Sequence, residues 1–495
     1  MSQSYTQLEK QFKRIHVLGD ASSILHWDMA AMMPKGGAES RMEQMALLAT
    51  LSHSMMCEDR LSDLLDGAEQ EGGLTDWQAV NLREMRRAHT HATALDEALV
   101  EALSRTTSAC EQVWREARAE GDFAKVAPQL KEVLNLTRQA AAAKADKLGC
   151  SLYDALLDQY EPDGKASEID PIFEKLEGFL PDFLQTVQDQ QKDVTVQMPQ
   201  GPFAIEKQKE LGALFMAALG FDFDHGRLDV SMHPFCGGTA DDVRLTTRYD
   251  ESDFTSALMG VLHETGHALY ERGLPQDWRN QPVGQARGMS VHESQSLLVE
   301  MQVCRSDAFL TYAHPHMQQT FEGIGAAWSL ENMTNLYRQV KPGFIRVDAD
   351  EVTYPAHVIL RYKLERALIE GHMQIEEIPE RWNSMMKDML GVTVENDRDG
   401  CLQDIHWYDG AWGYFPTYTL GAMTAAQIFD AIKKAVPDVE GEIAKGNFAP
   451  LMGWLRENIH AKGSSLSTKD LLIQATGKPL DPDVFIAHLK GRYSS

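Results

Sequence analysis

The sequence predicts a mainly α protein, a large helical body with a small β-sheet beside one helix near the middle of the chain. Three observations lead there. Apolar residues recur at helical spacing through most of the chain, and the segment 74–120 contains neither Gly nor Pro. Alternating and β-branched residues are confined to one region, Arg227–Tyr249. No period of 20 to 50 residues recurs, which excludes a solenoid.

Taken in order, Tyr5–Met33 reads as helical with an interruption near Gly19-Asp20 and a stop at Pro34–Gly37; a second helix runs from about Ala38 to Leu65. The segment 74–120 is too long for one ordinary helix and is read as a pair turning near Thr90–Thr93. Phe123–Leu148 ends at Gly149, Leu152–Tyr160 at the turn residues Glu161–Gly164, and further helices cover Ile172–Gln191 and Ile205–Leu219. Arg227–Met232 and Asp242–Tyr249 then read as two strands joined by the Gly-rich loop His233–Gly238. A helix follows, with Asp250, Ser252 and Asp253 as N-terminal caps and Gly273 with Pro275 as its stop. Beyond it, helices are expected over Val291–Phe309, Phe321–Val340, Pro355–Glu370 and Pro379–Met389, with several more in the tail from Ala425 to Lys490.

The chain has 495 residues, 43% hydrophobic and 24% charged, the balance of an ordinary globular protein. That length admits two to four domains or one large body; the expectation is a single unit over 1–495, its helices in two lobes, with no accessory domain. Acidic residues outnumber basic ones by 73 to 47, giving a formal net charge of -26. A field of that sign repels phosphate backbones and anionic lipid, so neither nucleic acid nor membrane is expected as a partner. The six cysteines show no close pairing, Met1–Lys10 is polar, and no run of eighteen apolar residues occurs; a cytoplasmic protein is expected.

The stretch His263-Glu264-Thr265-Gly266-His267 carries the chemistry. Residues four apart share one helix face, so both imidazoles can meet a single metal ion, and Glu264 then stands where a carboxylate accepts a proton from water. The bland reading is a solvent-facing stripe of polar residues. A catalytic zinc site takes three protein ligands, so a third is required. Tyr270 and Gly273 stand where a longer zinc motif needs Gly and His, which excludes that arrangement. Glu293 is the leading candidate, with Glu300 as a lesser one; against it, Ser290–Glu293 also fits a capping box in which Glu293 folds back on the Ser290 amide.

The ordered set His233-Pro234-Phe235, Asp242–Thr246, His263–His267, His292-Glu293-Ser294, Ile345–Asp350 and Gly400–Trp407 resembles the carboxypeptidase Taq family of zinc carboxypeptidases. The likeness also takes in His26-Trp27-Asp28, Tyr153–Pro162 and Thr476–Leu480, and so spans nearly the whole chain. It implies His263, His267 and Glu293 as metal ligands, Glu264 as the catalytic carboxylate, a deep central groove, a homodimer, and release of single C-terminal residues with broad specificity and poor action on proline. Zinc is the default for two His and one Glu, and cobalt or manganese can occupy the same ligands.

An exopeptidase of this kind must also bind a free carboxylate, which the planar fork of arginine does best. Arg346 is the first candidate, then His406, with Tyr418 as a hydroxyl donor and Arg244 as a groove residue. The alternatives are an ion pair of Arg346 with Asp348 or Asp350, a packed His406 oriented by Asp404, and a surface pair of Arg244 with Asp242. Two rival activities share the motif: a zinc endopeptidase with an open groove, and a non-catalytic helical scaffold holding a metal.

Overall fold

In the computed structural model, which describes residues 3–494, short polar side chains set many of the helix starts. Asp96, Asp122, Ser151, Asp253, Ser306, Ser467 and Asp481 each accept a backbone N–H of the first turn that follows. Before the sheet these helices are α1 (Gln3–Ala31), α2 (Ala38–Met56), α3 (Asp59–Glu71), α4 (Asp76–Thr93), α5 (Glu97–Glu120), α6 (Phe123–Leu148), α7 (Leu152–Leu157), α8 (Ala166–Gln191) and α9 (Ile205–Leu219). After it come α10 (Phe254–Gly273), α11 (Met289–Leu297), α12 (Asp307–Phe321), α13 (Leu330–Tyr337), α14 (Tyr354–Glu370), α15 (Ile378–Leu390), α16 (Pro416–Ala435), α17 (Val439–Ala444), α18 (Ala449–Asn458), α19 (Thr468–Thr476) and α20 (Pro482–Tyr493). The protein is mainly α.

Several boundaries depart from the sequence reading for identifiable reasons. α1 runs unbroken through Gly19, because one glycine costs only about 1 kcal/mol against the burial of Tyr5, Leu8, Phe12 and Trp27 along the same helix. The expected single helix over 38–65 is two, α2 and α3, parted at Cys57-Glu58 where no Gly or Pro marks the break. α12 occupies a stretch left partly unassigned and carries Pro315 inside it. α6 and α9 have the expected limits, with Gly149 closing α6 in the left-handed conformation.

The sheet also differs. β1 (Gly226–Val230) and β3 (Asp242–Thr247) are neighbours as expected, but they run parallel, with Leu228 opposite Leu245. The expected Gly-rich loop is itself a strand, β2 (Phe235–Thr239), pairing antiparallel to β3 with Cys236 opposite Leu245, so the order is β1-β3-β2.

The chain divides into two compact units. One consists of the residues up to Ala92, Val196–Tyr337 and Thr424–Leu480; the other of Thr93–Thr195, Arg338–Met423 and the residues from Asp481 on. In the first unit α10 packs on β3, α9 and α11. Its crossing with α11 is close enough that a Cβ on Gly266 would lie 2.4 Å from the Gln295 carbonyl oxygen and 2.6 Å from Ser296 Cα. In the second unit α14 is buried along most of its length, and its Glu365 accepts hydrogen bonds from the Tyr153 hydroxyl and from Trp407 Nε1–H at 3.1 Å.

Two consequences can be measured. The contacts at Gly266 are backbone atoms that cannot swing aside, so Gly266→Ala is expected to cost about 1–3 kcal/mol of stability, read as a lowered unfolding midpoint. Burial pushes the Glu365 carboxyl up to about 7 from its ordinary 4.5, against the pull of its two hydrogen bonds. Its contribution to stability is therefore full below pH 4.5 and is lost as pH rises through about 7. Between about pH 5 and 8 the melting temperature of the wild type should fall more steeply than that of Glu365→Gln.

Candidate metal centre and a buried cationic cluster

α10 is held at its N-terminus by Asp253, whose carboxylate accepts the Thr255 and Ser256 amides, and along one face by the buried Leu258, Val261, Leu262, Ala268 and Leu269. His263 and His267 consequently stand one turn apart on the same face, their ring centroids 5.0 Å from each other. α11 begins after Gly288 with no side-chain cap, and Ser290 lies inside its first turn. Glu293 is therefore not folded back as a capping residue. Its Oε2 lies 3.4 Å from His267 Nε2 and 3.9 Å from His263 Nε2.

The donor atoms of His263, His267 and Glu293 all lie within 4.8 Å of one another, a set able to hold a metal ion. Two imidazole nitrogens and a carboxylate oxygen suit a borderline divalent cation. The remaining ring nitrogens are engaged elsewhere. His263 Nδ1 is 2.9 Å from Glu300 Oε2, and Arg305 Nη2 donates to Glu300 Oε1 at 2.6 Å. His267 Nδ1 is 2.7 Å from His292 Nδ1, and His292 Nε2 is 2.7 Å from Glu271 Oε1. Both Nε2 atoms are thus the ones left for a ligand role.

The site is buried and anionic. Glu264 is 7% exposed, and burial pushes its carboxyl up to about 7, with His263 pulling the other way and Glu293 adding to the rise. Burial would raise Glu293 as well, but the adjacent imidazoles hold it down at about 2. Carboxylates gathered this closely in a desolvated place favour a cation among them.

In the second unit Arg346, His406 and Tyr418 lie together. The alternative pairing of Arg346 with Asp348 or Asp350 is absent; its Nη2 donates to Asp404 Oδ1 at 2.9 Å, its backbone N–H to Gln403 Oε1 at 2.8 Å, and its guanidinium lies 4.5 Å from the centre of the Tyr418 ring. Asp350 instead accepts the amides of Lys341, Val352 and Thr353. Arg361 of α14, fully buried, donates from Nε to the other Asp404 oxygen at 2.6 Å. Burial would raise Asp404, yet the two arginines hold it well below the usual carboxylate range. Burial and the same arginines push His406 down to about 4, so it is neutral, with Nε2 3.1 Å from the Tyr418 hydroxyl.

Arg244 belongs to the first unit. It donates to both oxygens of Asp242, at 3.0 and 2.6 Å, the pairing weighed as its alternative, and lies over the Trp27 ring at 4.6 Å.

Residues not singled out from sequence complete both clusters. Glu271 continues the row His263, His267 at the same spacing of four, a signal that was available. Glu300, weighed only as a ligand, supports His263 instead. Arg361 stands in a row of buried polar residues on α14, His357, Arg361 and Glu365, also at a spacing of four, so a signal was present there too.

Over residues 7–493 the chain matches the Carboxypeptidase Taq (M32) metallopeptidase family. Thermostable carboxypeptidase 1 of Thermus thermophilus is 38% identical over 99% of this chain and 98% of its own length, and carboxypeptidase 1 of Bacillus subtilis is 34% identical over 98% of each. Among solved structures, metallocarboxypeptidase 1 of Trypanosoma cruzi superposes with a TM-score of 0.98 at 42% identity, covering 100% of both chains. The endopeptidase and scaffold readings give way to these findings. The chain belongs to the carboxypeptidase Taq (M32) family of metallopeptidases and is a metal-dependent carboxypeptidase.

Proposed function

We propose that the metal is zinc, held by His263, His267 and Glu293, and that the enzyme releases single C-terminal residues from peptides with Glu264 as general base. The convergence of the two Nε2 atoms and Glu293 Oε2 beside buried Glu264 carries this reading. Cobalt or manganese can replace zinc in such a donor set. Broad specificity, poor action on C-terminal proline and a deep substrate groove follow the family resemblance.

When bound, the cation supplies Lewis acidity toward water and the scissile carbonyl. Glu264 takes the proton of the attacking water and returns it to the departing amine, so that the amide bond is exchanged for a carboxylate and a free amino group. A carboxyl buried against its own ionisation is a stronger base once charged, which suits that transfer.

Recognition of the terminal carboxylate is assigned to Arg346, assisted by His406 and Tyr418. Arg346 and Arg361 face the single carboxylate of Asp404, so the buried group carries one uncompensated positive charge. Buried charge without a partner is costly, and an incoming carboxylate relieves that cost. His406 Nδ1 and Arg361 Nη2, both buried, have no hydrogen-bond partner among the described residues. Arg244 is the weakest of the assignments, given its pairing with Asp242.

The chain is read as one catalytic unit because each compact unit is assembled from separate stretches of sequence, so neither is a contiguous piece that folds by itself. None of the six cysteines is in a disulfide, and a reducing, cytoplasmic setting is proposed with that chemistry; no helix among the described residues is long and apolar enough to cross a membrane. A homodimer is proposed on the resemblance, to be read by light scattering.

Glu264→Gln is expected to lower kcat by about 10²–10⁴-fold while leaving bound metal unchanged in elemental analysis. On a blocked dipeptide and its C-terminal amide, the wild type should strongly prefer the free acid. Arg346→Ala should cut kcat/KM for the acid by about 30-fold or more and leave the slow amide reaction nearly unaltered; equal cleavage of acid and amide by the wild type would remove Arg346 from its role.

A further inference from the structure

We infer that Glu271, acting through His292, fixes His267 in the tautomer that can ligate the metal, and is therefore a positioning residue although it is no ligand itself. The inference rests on the reading of His263, His267 and Glu293 as metal ligands.

The argument is one of counting hydrogens. His267 Nδ1 and His292 Nδ1 are 2.7 Å apart, a separation that requires one hydrogen between them and admits only one. Two neutral arrangements satisfy it. In the first, His267 Nδ1–H donates to His292 Nδ1; His267 Nε2 is then a bare lone pair, and His292 Nε2–H donates to Glu271 Oε1 across 2.7 Å. In the second, His292 Nδ1–H donates to His267 Nδ1, which puts the other hydrogen of His267 on Nε2, facing Glu293 Oε2 at 3.4 Å. That tautomer offers no lone pair to a cation. It also turns the bare Nε2 of His292 against the Glu271 carboxylate, two acceptors in contact at 2.7 Å.

Glu271 therefore selects between the two. Its charge-assisted hydrogen bond exists only in the ligating arrangement, and its lone pairs oppose the other. The edge of the Tyr270 and His292 ring pair, at 5.4 Å between centroids, holds the His292 plane in the relay. His263 is served differently, by Glu300 directly and by Arg305 behind it. The two imidazole ligands thus rest on two independent carboxylates, one of them a residue further away.

The test is zinc affinity, measured by competition with a chromophoric chelator, combined with ¹⁵N shifts of labelled histidine in the metal-free full-length protein. Glu271→Ala is expected to weaken zinc binding by about 10-fold or more and to move the His267 proton from Nδ1 toward Nε2. Glu271→Gln, which keeps an acceptor oxygen but not the charge, should recover part of the loss. Because Glu271 and His292 act in series, Glu271→Ala added to His292→Ala should bring no further loss, whereas the losses of Glu271→Ala and Glu300→Ala should multiply. Wild-type affinity in Glu271→Ala with the His267 proton unmoved would overturn the relay, as would multiplying losses for Glu271 and His292. The ligand reading fails separately, if His267→Ala binds zinc as tightly as the wild type; circular dichroism of each variant excludes misfolding as the cause of a loss.

Discussion

Everything chemical in the first unit depends on how closely α10 and α11 approach at Gly266. A side chain there would meet the backbone of Gln295 and Ser296, so the glycine is what lets one helix lie against the other. The two histidines come from one helix by simple periodicity, but the third donor comes from another. A shift of an ångström at this crossing would carry Glu293 out of reach of both Nε2 atoms, now 3.4 and 3.9 Å from its Oε2. Within His263–His267, Gly266 is thus a packing requirement, while His263, Glu264 and His267 are the residues proposed for the chemistry.

The two clusters manage buried charge in opposite ways. Around α10 the excess is negative, and a cation is the natural complement of His263, His267 and Glu293. Around Asp404 the excess is positive, and the complement is an anion, which a peptide with a free C-terminus carries. Each cluster thus carries an excess of charge opposite in sign to that of its proposed occupant. An uncompensated charge at a desolvated position is costly unless a complement arrives, which makes such an imbalance a telling observation.

Much of this was legible in the sequence because its signals are local. A helix period, a cap at Asp253 and two histidines four apart need no knowledge of the rest of the chain, and α6, α9 and α10 have the limits those signals imply. What failed was non-local. The break between α2 and α3 has no breaker residue, and β2 looks like a loop because Gly237 and Gly238 have poor strand propensity until β3 pairs with them. The ion pair weighed as the alternative for Arg346 was with an aspartate two or four residues away, yet its partner is Asp404, which only the fold brings near. Ser290–Glu293 fits a capping pattern on paper, and the helix starts at Met289 instead.

The supports of the two histidines differ for a reason that the surrounding charges make plain. Glu293 and Glu300 both raise the proton affinity of Glu264, the proposed general base, which in that role must be free to accept a proton near neutrality. A further carboxylate placed directly on His267 would add to that effect. His292 is a spacer: it transmits the hydrogen-bond direction from Glu271 to His267 while keeping the negative charge one imidazole farther from the proposed base. Arg305 does the equivalent for Glu300 by offsetting its charge rather than by distance. Both histidines are oriented, and the general base is spared most of the field that orienting them would otherwise create.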